Sequence, residues 1–332
     1  MQRGGADHSP PFSEKEEKKV TKSNHWPPLA AAAGTLVAVG LLLTIMLVAF
    51  EARPADATFP GKSGKIAYSG DAGPNADYEI YTIKSGGGGK FSVTDDARGN
   101  YEPCYSPSSK QIVYTAYDGN DEEIYKINVG GGGRVQHTDN STDDYWPCYS
   151  PSGKKIAFSG YDGNDSEIYT INSGGGGRVQ LTDNSTSDSN PDYSPSGKKI
   201  AFSGYDGNDR EIYTINAGGG SKFNVTDNGN ADYSPSYSPS GKKIAYEGEE
   251  GPNADYEIYT INVGGGSKFN VTDNGNDDYE PSYSPSGKKI AYSGEEGPNA
   301  DYEIYTINVG GGSKFNVTDN GNDHYEPFWG SS

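Results

Sequence analysis

Polar and apolar residues follow a repeating pattern from residue 60 to the C-terminus. Short runs rich in Tyr, Ile, Val, Phe and Thr alternate there with stretches of Gly, Asp, Asn, Ser and Pro. Runs of this length bounded by turn residues predict strands, and no window in the region carries apolar residues at helical spacing. One run reads Ser-Pro-Ser-Gly-Lys-Lys-Ile-Ala-Tyr-Ser at Ser284–Ser293. Close copies begin at Ser238, Ser194 and Ser150, a looser one at Ser106, and a first one without Ser-Pro at Lys62. The central isoleucines, Ile66, Ile112, Ile156, Ile200, Ile244 and Ile290, are spaced by 46, 44, 44, 44 and 46 residues. A fixed period near this length is the mark of a repeat architecture, and a four-stranded propeller blade uses about 40–45 residues.

Each period holds four runs, a to d. Run a is Tyr-x-Pro-x-Tyr-Ser, b follows the Ser-Pro-Ser-Gly turn, c is Glu-Ile-Tyr-Thr-Ile-Asn, and d is Lys-Phe-Asn-Val-Thr-Asp after a glycine cluster. The chain enters this region on a b strand, Lys65–Ser69, and leaves it on an a strand, Tyr325–Trp329. The last strand then completes the blade begun by the first three, which removes an open sheet edge. The expected fold is all-β: a closed six-bladed propeller of four-stranded blades over 61–330.

The segment before it follows other rules. Residues 1–28 mix Ser, Pro, Glu and Lys without periodicity and read as a disordered tail. Leu29–Phe50 carries no charge and is long enough to span a bilayer as one helix. Arg3, Lys15, Lys18, Lys19 and Lys22 precede it, against Arg53 and Lys62 after it. That bias predicts a single-pass anchor with the N-terminus inside, a linker over 51–60 and the propeller outside the cytoplasm. Ala55-Asp56-Ala57 also fits a signal-peptidase site, and cleavage after Ala57 would release a secreted domain.

Charge adds a second pattern. The chain has a formal net charge of −19, which argues against nucleic acid as a partner. In a four-stranded meander the b–c and d–a connections share one face of the disc. Every acidic residue after Ala57 lies in or beside those connections, as Glu295, Asp301, Asp277 and Glu280 do. The basic residues, Arg98 and Arg210 excepted, lie with the opposite connections, as Lys288, Lys289 and Lys314 do. An acidic and a basic face are expected, with the tether Glu51–Gly64 entering at the basic one and leaving the acidic one outward. Duplication of one ancestral blade would also produce this segregation. Only 32% of residues are hydrophobic, and 26 tyrosines help to supply the core. Cys104 and Cys148 hold the same place in successive a strands. Matched positions point the same way around the ring, so two small buried residues are expected, a disulfide in an oxidising compartment being the alternative.

The pattern P-x-Y-SPSGKKIAYSG…DGN-D-EIYTIN…GGG…VTD resembles the TolB-type, WD40-like β-propeller repeat of the bacterial cell envelope. The resemblance covers residues 60–330 and implies the fold and an exported setting; a fold of this kind hosts many functions. Two departures stand out. The family's Ser-Pro-Asp-Gly turn is Ser-Pro-Ser-Gly here, and no room exists before the propeller for the α/β domain of TolB. The partners that the resemblance implies are therefore reduced to an envelope protein or polymer of unspecified identity.

Signatures of catalysis are scarce. His8, His25, His137 and His324 are scattered, and no G-x-S-x-G elbow occurs. The glycine clusters precede no helix and read as hairpin turns. The expected function is non-enzymatic binding or scaffolding, the competing class being a lyase or hydrolase with its site in the central funnel. In either case the residue before the strand-a proline varies among otherwise near-identical blades: Glu102, Trp146, Asn190, Ser234, Glu280 and Glu326. These form the expected ligand-binding rim. No cofactor is expected, with one qualification. Asp118, Asn120 and Asp121, and likewise Asp162, Asn164 and Asp165, supply hard oxygen ligands of the kind Ca2+ takes. They are also what tight turns prefer, and the turn reading is favoured.

Overall fold

The computed structural model describes residues 63–71, 77–96, 98–249, 255–295 and 301–331. The tail, the apolar run 29–50 and the linker lie outside these residues. Among the described residues no helix is long and apolar enough to cross a membrane.

Six four-stranded antiparallel sheets form the blades, each in the order a-b-c-d. In the first, strand a is His324–Ser331 and strand b is Ser63–Asp71, followed by Tyr78–Lys84 and Phe91–Ser92. The closure read from the sequence is therefore present: Ile66 faces Trp329, Ala67 faces Phe328 and Gly70 faces His324. The remaining a strands are Asn100–Tyr105, Asp144–Tyr149, Asp188–Tyr193, Asp232–Tyr237 and Asp278–Tyr283. They converge on the axis and line a central channel.

Strand b runs through the middle of each sheet, so both of its faces are covered. Ile66, Ile112, Ile156, Ile200, Ile244 and Ile290 have no exposed surface. Burying such a side chain is worth about 1.5–3 kcal/mol. The core lies between blades: Ala201, Ile212 and Val225 of the fourth pack with Tyr237, Ile244 and Tyr246 of the fifth. The Ser-Pro-Ser-Gly turn is fixed by its first serine. Ser150 Oγ accepts from Lys155 N at 3.0 Å, its carbonyl accepts from Gly153 N at 2.8 Å, and Gly153 takes a φ of 67°. In the second blade Ser109 occupies that place at φ 51°, a conformation that favours glycine.

Two expectations need correction. Strand d pairs over only two residues, such as Phe269–Asn270, because a threonine side chain then takes over: Thr272 Oγ1 accepts from Ile258 N at 2.9 Å. Nor do the d-strand bases simply form a basic face. Lys314 lies 4.3 Å from the Tyr305 ring centroid and Arg178 4.1 Å from that of Tyr169. Their long stems let each cation lie along the blade over a ring. Arg178 reaches on to the buried Asp144 at 3.0 Å.

Candidate functional site: the mouth of the central channel

Every a strand breaks its pairing with b beside its proline. The register shifts between Tyr101 and Cys104, Tyr145 and Cys148, Ser189 and Asp192, Tyr233 and Ser236, and Tyr279 and Ser282; the first blade shifts opposite Ala67 and Ser69. The bulged residues are the predicted rim positions and the prolines after them. Proline lacks the N–H that a ladder would use, so it suits a bulge. Glu102, Trp146, Asn190, Ser234, Glu280 and Glu326 adopt φ of 58, 50, 55, 50, 54 and 58°. Such left-handed backbone is uncommon outside glycine, and here it releases each side chain from the sheet. All six are half-buried and line one cavity of about 120 Å³ on the axis.

The bulge leaves one N–H per blade in need of an acceptor, and the preceding blade supplies it. Ser159 Oγ accepts from Asn190 N at 3.2 Å and Ser203 Oγ from Ser234 N at 3.1 Å. Elsewhere carboxylates take this role. Glu247 accepts from Glu280 N at 2.6 Å, Glu280 from Glu326 N at 2.6 Å, Glu326 from Glu102 N at 2.5 Å, and Glu102 from Trp146 N at 2.6 Å. Thr115 Oγ1 also donates to Glu102 at 2.6 Å, and Ser69 Oγ donates to Glu326. Four carboxylates thus follow one another across the fifth, sixth, first and second blades.

Packed this closely, they resist ionisation. Burial and the neighbouring Glu326 push Glu102 well above the ordinary carboxylate range, and burial with Glu326 and Glu247 does the same for Glu280. Burial raises Glu326, and it lifts Glu247 to about 7. All four are thus shifted toward the protonated form.

A tyrosine arc stands over the same blades, at the d–a ends of the strands. Tyr233, Tyr256, Tyr279, Tyr302, Tyr325, Tyr78 and Tyr101 form an unbroken chain of ring contacts, with centroids 5.0 to 6.1 Å apart. Arg210 lies 5.7 Å from the ring of Tyr233 at one end. Opposite the arc, in the third and fourth blades, the channel carries Trp146 and Asn190.

Below the rim and its prolines lies a second ring: Cys104, Cys148, Asp192, Ser236, Ser282 and Phe328. Asp192 accepts from Tyr237 N at 2.7 Å, and burial lifts it to about 7. The two cysteines are not separated as expected: their Sγ atoms lie 3.1 Å apart. Because the a strands crowd the axis, matched side chains of adjacent blades meet there.

The acidic loops are built as turns. Asp118 Oδ1 accepts from Asn120 N at 2.7 Å and Asp121 N at 3.4 Å; Asp162 does the same with Asn164 N at 2.8 Å and Asp165 N at 3.3 Å. Asn120 and Asn164 contribute their N–H groups. Carboxylates do come together nearby as Asp118, Asp121 and Glu123, and as Asp162, Glu167 and Asp183. A third set, Asp206, Asp209 and Glu211, repeats this in the fourth blade. The sequence reading omitted that set, although its Asp-Gly-Asn-Asp was there to be read. It also passed over Glu247, whose signal is that it replaces the Ser or Thr of the other b strands.

The chain matches the family described as TolB beta propeller domain over residues 61–332. No curated protein matches it. Among solved structures it is similar to TolB from Acinetobacter baumannii, at 24% identity and a TM-score of 0.71, covering 92% of this chain and 75% of that one. A candidate TolB from Agrobacterium tumefaciens gives 18% and 0.62, covering 81% and 99%. Hydrazine synthase of Kuenenia stuttgartiensis gives 17% and 0.68, covering 83% and 48%. Likeness at these identities shows the fold, and the family match over the whole propeller shows more: the chain belongs to the TolB beta propeller domain family.

Proposed function

We propose that this propeller is a non-enzymatic binding module that takes a Lys- or Arg-bearing segment of an envelope protein at its channel mouth. The observation that carries this reading is the one-sided crescent. Glu247, Glu280, Glu326 and Glu102 are held by N–H and O–H donors in the same four blades that carry the tyrosine arc. A cation arriving there favours the ionised carboxylates. Tyrosine faces add about 0.5–2 kcal/mol per cation. Trp146, in the opposite wall, reports occupancy. Titrating the chain with a short lysine peptide should change Trp146 fluorescence, with no response in Trp146→Phe and a weaker affinity in Glu280→Gln/Glu326→Gln. A neutral peptide of the same length binding equally well would refute the reading.

In this proposal the propeller is displayed outside the membrane on the run 29–50, N-terminus inside and acidic face outward, or is secreted after cleavage at Ala57. Reagents that label only the outer side should then modify the propeller in intact cells. Calcium belongs to the proposal at the carboxylate sets of the second to fourth blades. It should raise the melting temperature above that in sodium at equal ionic strength, and Asp121→Asn should reduce the gain. A second reading, acid–base chemistry in the funnel, draws on Glu247 and Asp192, both lifted to about 7. Its mark would be chemical conversion of a bound ligand that Glu247→Gln abolishes.

A further inference from the structure

The two cysteines are the only ones in the chain. They stand at matched positions of adjacent a strands, in the second ring of the channel, both buried. Cys104 Sγ and Cys148 Sγ are 3.1 Å apart, about 1 Å beyond the ~2.05 Å of a disulfide. Both sulfurs have hydrogen-bond partners, Tyr149 N for Cys104 and Asp192 Oδ1 for Cys148, but these bonds do not call for sulfur. Elsewhere in this ring an oxygen accepts from the next blade: Ser236 from Tyr283 N at 3.2 Å, Ser282 from Trp329 N at 3.2 Å. Cys104 fills that role for Tyr149 N at 3.3 Å, yet a thiol sulfur is a weak acceptor where serine serves well. A second cysteine beside the first needs another reason, and the contact between them supplies it.

We propose that Cys104 and Cys148 form a structural disulfide that ties the second blade to the third across the channel wall. The oxidant is a disulfide, either a small molecule or a thiol oxidoreductase. Asp192 Oδ1, 3.5 Å from Cys148 Sγ, takes the Cys148 proton. The thiolate attacks the oxidant's disulfide, forming a mixed disulfide and releasing one thiol. Cys104 then gives up its proton and attacks Cys148 Sγ, which releases the second thiol. The protein loses two electrons and two protons, and the oxidant gains both. Burial of both sulfurs makes exchange slow in the finished fold, so the bond forms as the wall assembles and persists afterwards.

The test uses the full chain, refolded in oxidised or in reduced glutathione. After denaturation and alkylation, the oxidised sample should carry no alkylated thiol and the reduced sample should carry two, the full cysteine content. Peptide mapping should find Cys104 joined to Cys148 within one chain. The oxidised form should melt higher than the reduced form, while Cys104→Ala/Cys148→Ala should melt identically in both buffers. Two alkylated thiols after oxidative refolding would overturn the proposal. So would cross-links only between chains, or a disulfide that lowers the melting temperature. Thiols masked in the native state by a bound metal, with no loss of two hydrogens in the mass, would overturn it as well.

Discussion

His324 offers a sharp test of the closing seam. It begins the C-terminal strand, pairs with Gly70 of the first strand and has no exposed surface. Its ring contacts Tyr68 edge-on at 5.1 Å, and its Nε2 lies 2.8 Å from Asn320 Nδ2 and 3.1 Å from Asn320 Oδ1. Burial first, and then Lys90, lower its pKa from 6.5 to about 4. Glu303 Oε2 is 3.9 Å away and would favour the imidazolium. Glu303 already accepts from Thr318 Oγ1, Asn320 N and Gly321 N, however, so burial prevails. Between pH 4 and 6.5 the unfolded chain therefore binds this proton and the folded chain does not. Stability from this group is present above pH 6.5 and is lost as pH falls toward 4. The full swing is about 3 kcal/mol at 1.36 kcal/mol per pH unit, of which about 2 kcal/mol has gone by pH 5. Other groups titrate in the same window, so the measurement is a difference. His324→Asn, which installs the residue that the second blade has at Asn100, should be neutral or destabilising at pH 7.5. Relative to wild type it should gain about 2 kcal/mol on going to pH 5, read from urea midpoints at constant ionic strength. An equal difference at the two pH values would refute a buried, neutral His324.

Three further outcomes follow. In the second blade Asp96 and Asn100 hold the places that Asn140 and Asp144 hold in the third, and the bases follow: Arg134 pairs with Asp96, Arg178 with Asp144. Asn100→Asp should cost about 1–3 kcal/mol, and adding Asp96→Asn should recover most of it, as urea midpoints of single and double variants would show. Glu280 holds its proton more tightly folded than unfolded, so its contribution is present at acid pH and lost as pH rises through the folded pKa. Glu280→Gln should accordingly raise the melting temperature at pH 8 relative to its effect at pH 5. Removing residues 324–331 should open the edge of Ser63–Asp71 and produce aggregation visible by light scattering; a truncated chain that melts like the full one would contradict the closure.

The blades, their number and their closure were legible because periodicity and the identity of the first and last strands are properties of the chain itself. The rim was legible for the same reason, since Glu102, Trp146, Asn190, Ser234, Glu280 and Glu326 vary at a fixed repeat position. What their variation could not disclose was the left-handed bulge beneath them, which depends on pairing with strand b. Distances around the ring were hidden too. The Cys104–Cys148 contact and the relay from Glu247 to Trp146 arise between blades, where strand convergence sets the spacing. The charge pattern misled in part. Glu123, Glu167, Asp144 and Asp188 are acidic-side residues by position, yet all four are buried among threonine, asparagine and basic partners. Sequence position alone does not separate a carboxylate on a face from one inside a blade.

The most direct test of the channel as a cation-taking site is proton release. Burial and mutual repulsion shift Glu102, Glu247, Glu280 and Glu326 toward the protonated form, so a cation that seats among them favours proton release. Calorimetric titration of a lysine peptide at pH 7, in buffers of different ionisation enthalpy, should give an observed heat that varies linearly with buffer enthalpy, with the sign of proton release. The slope should vanish when the four residues are replaced by glutamine. Binding with no buffer dependence, or a slope unchanged in the glutamine variant, would place the cation elsewhere and contradict the account.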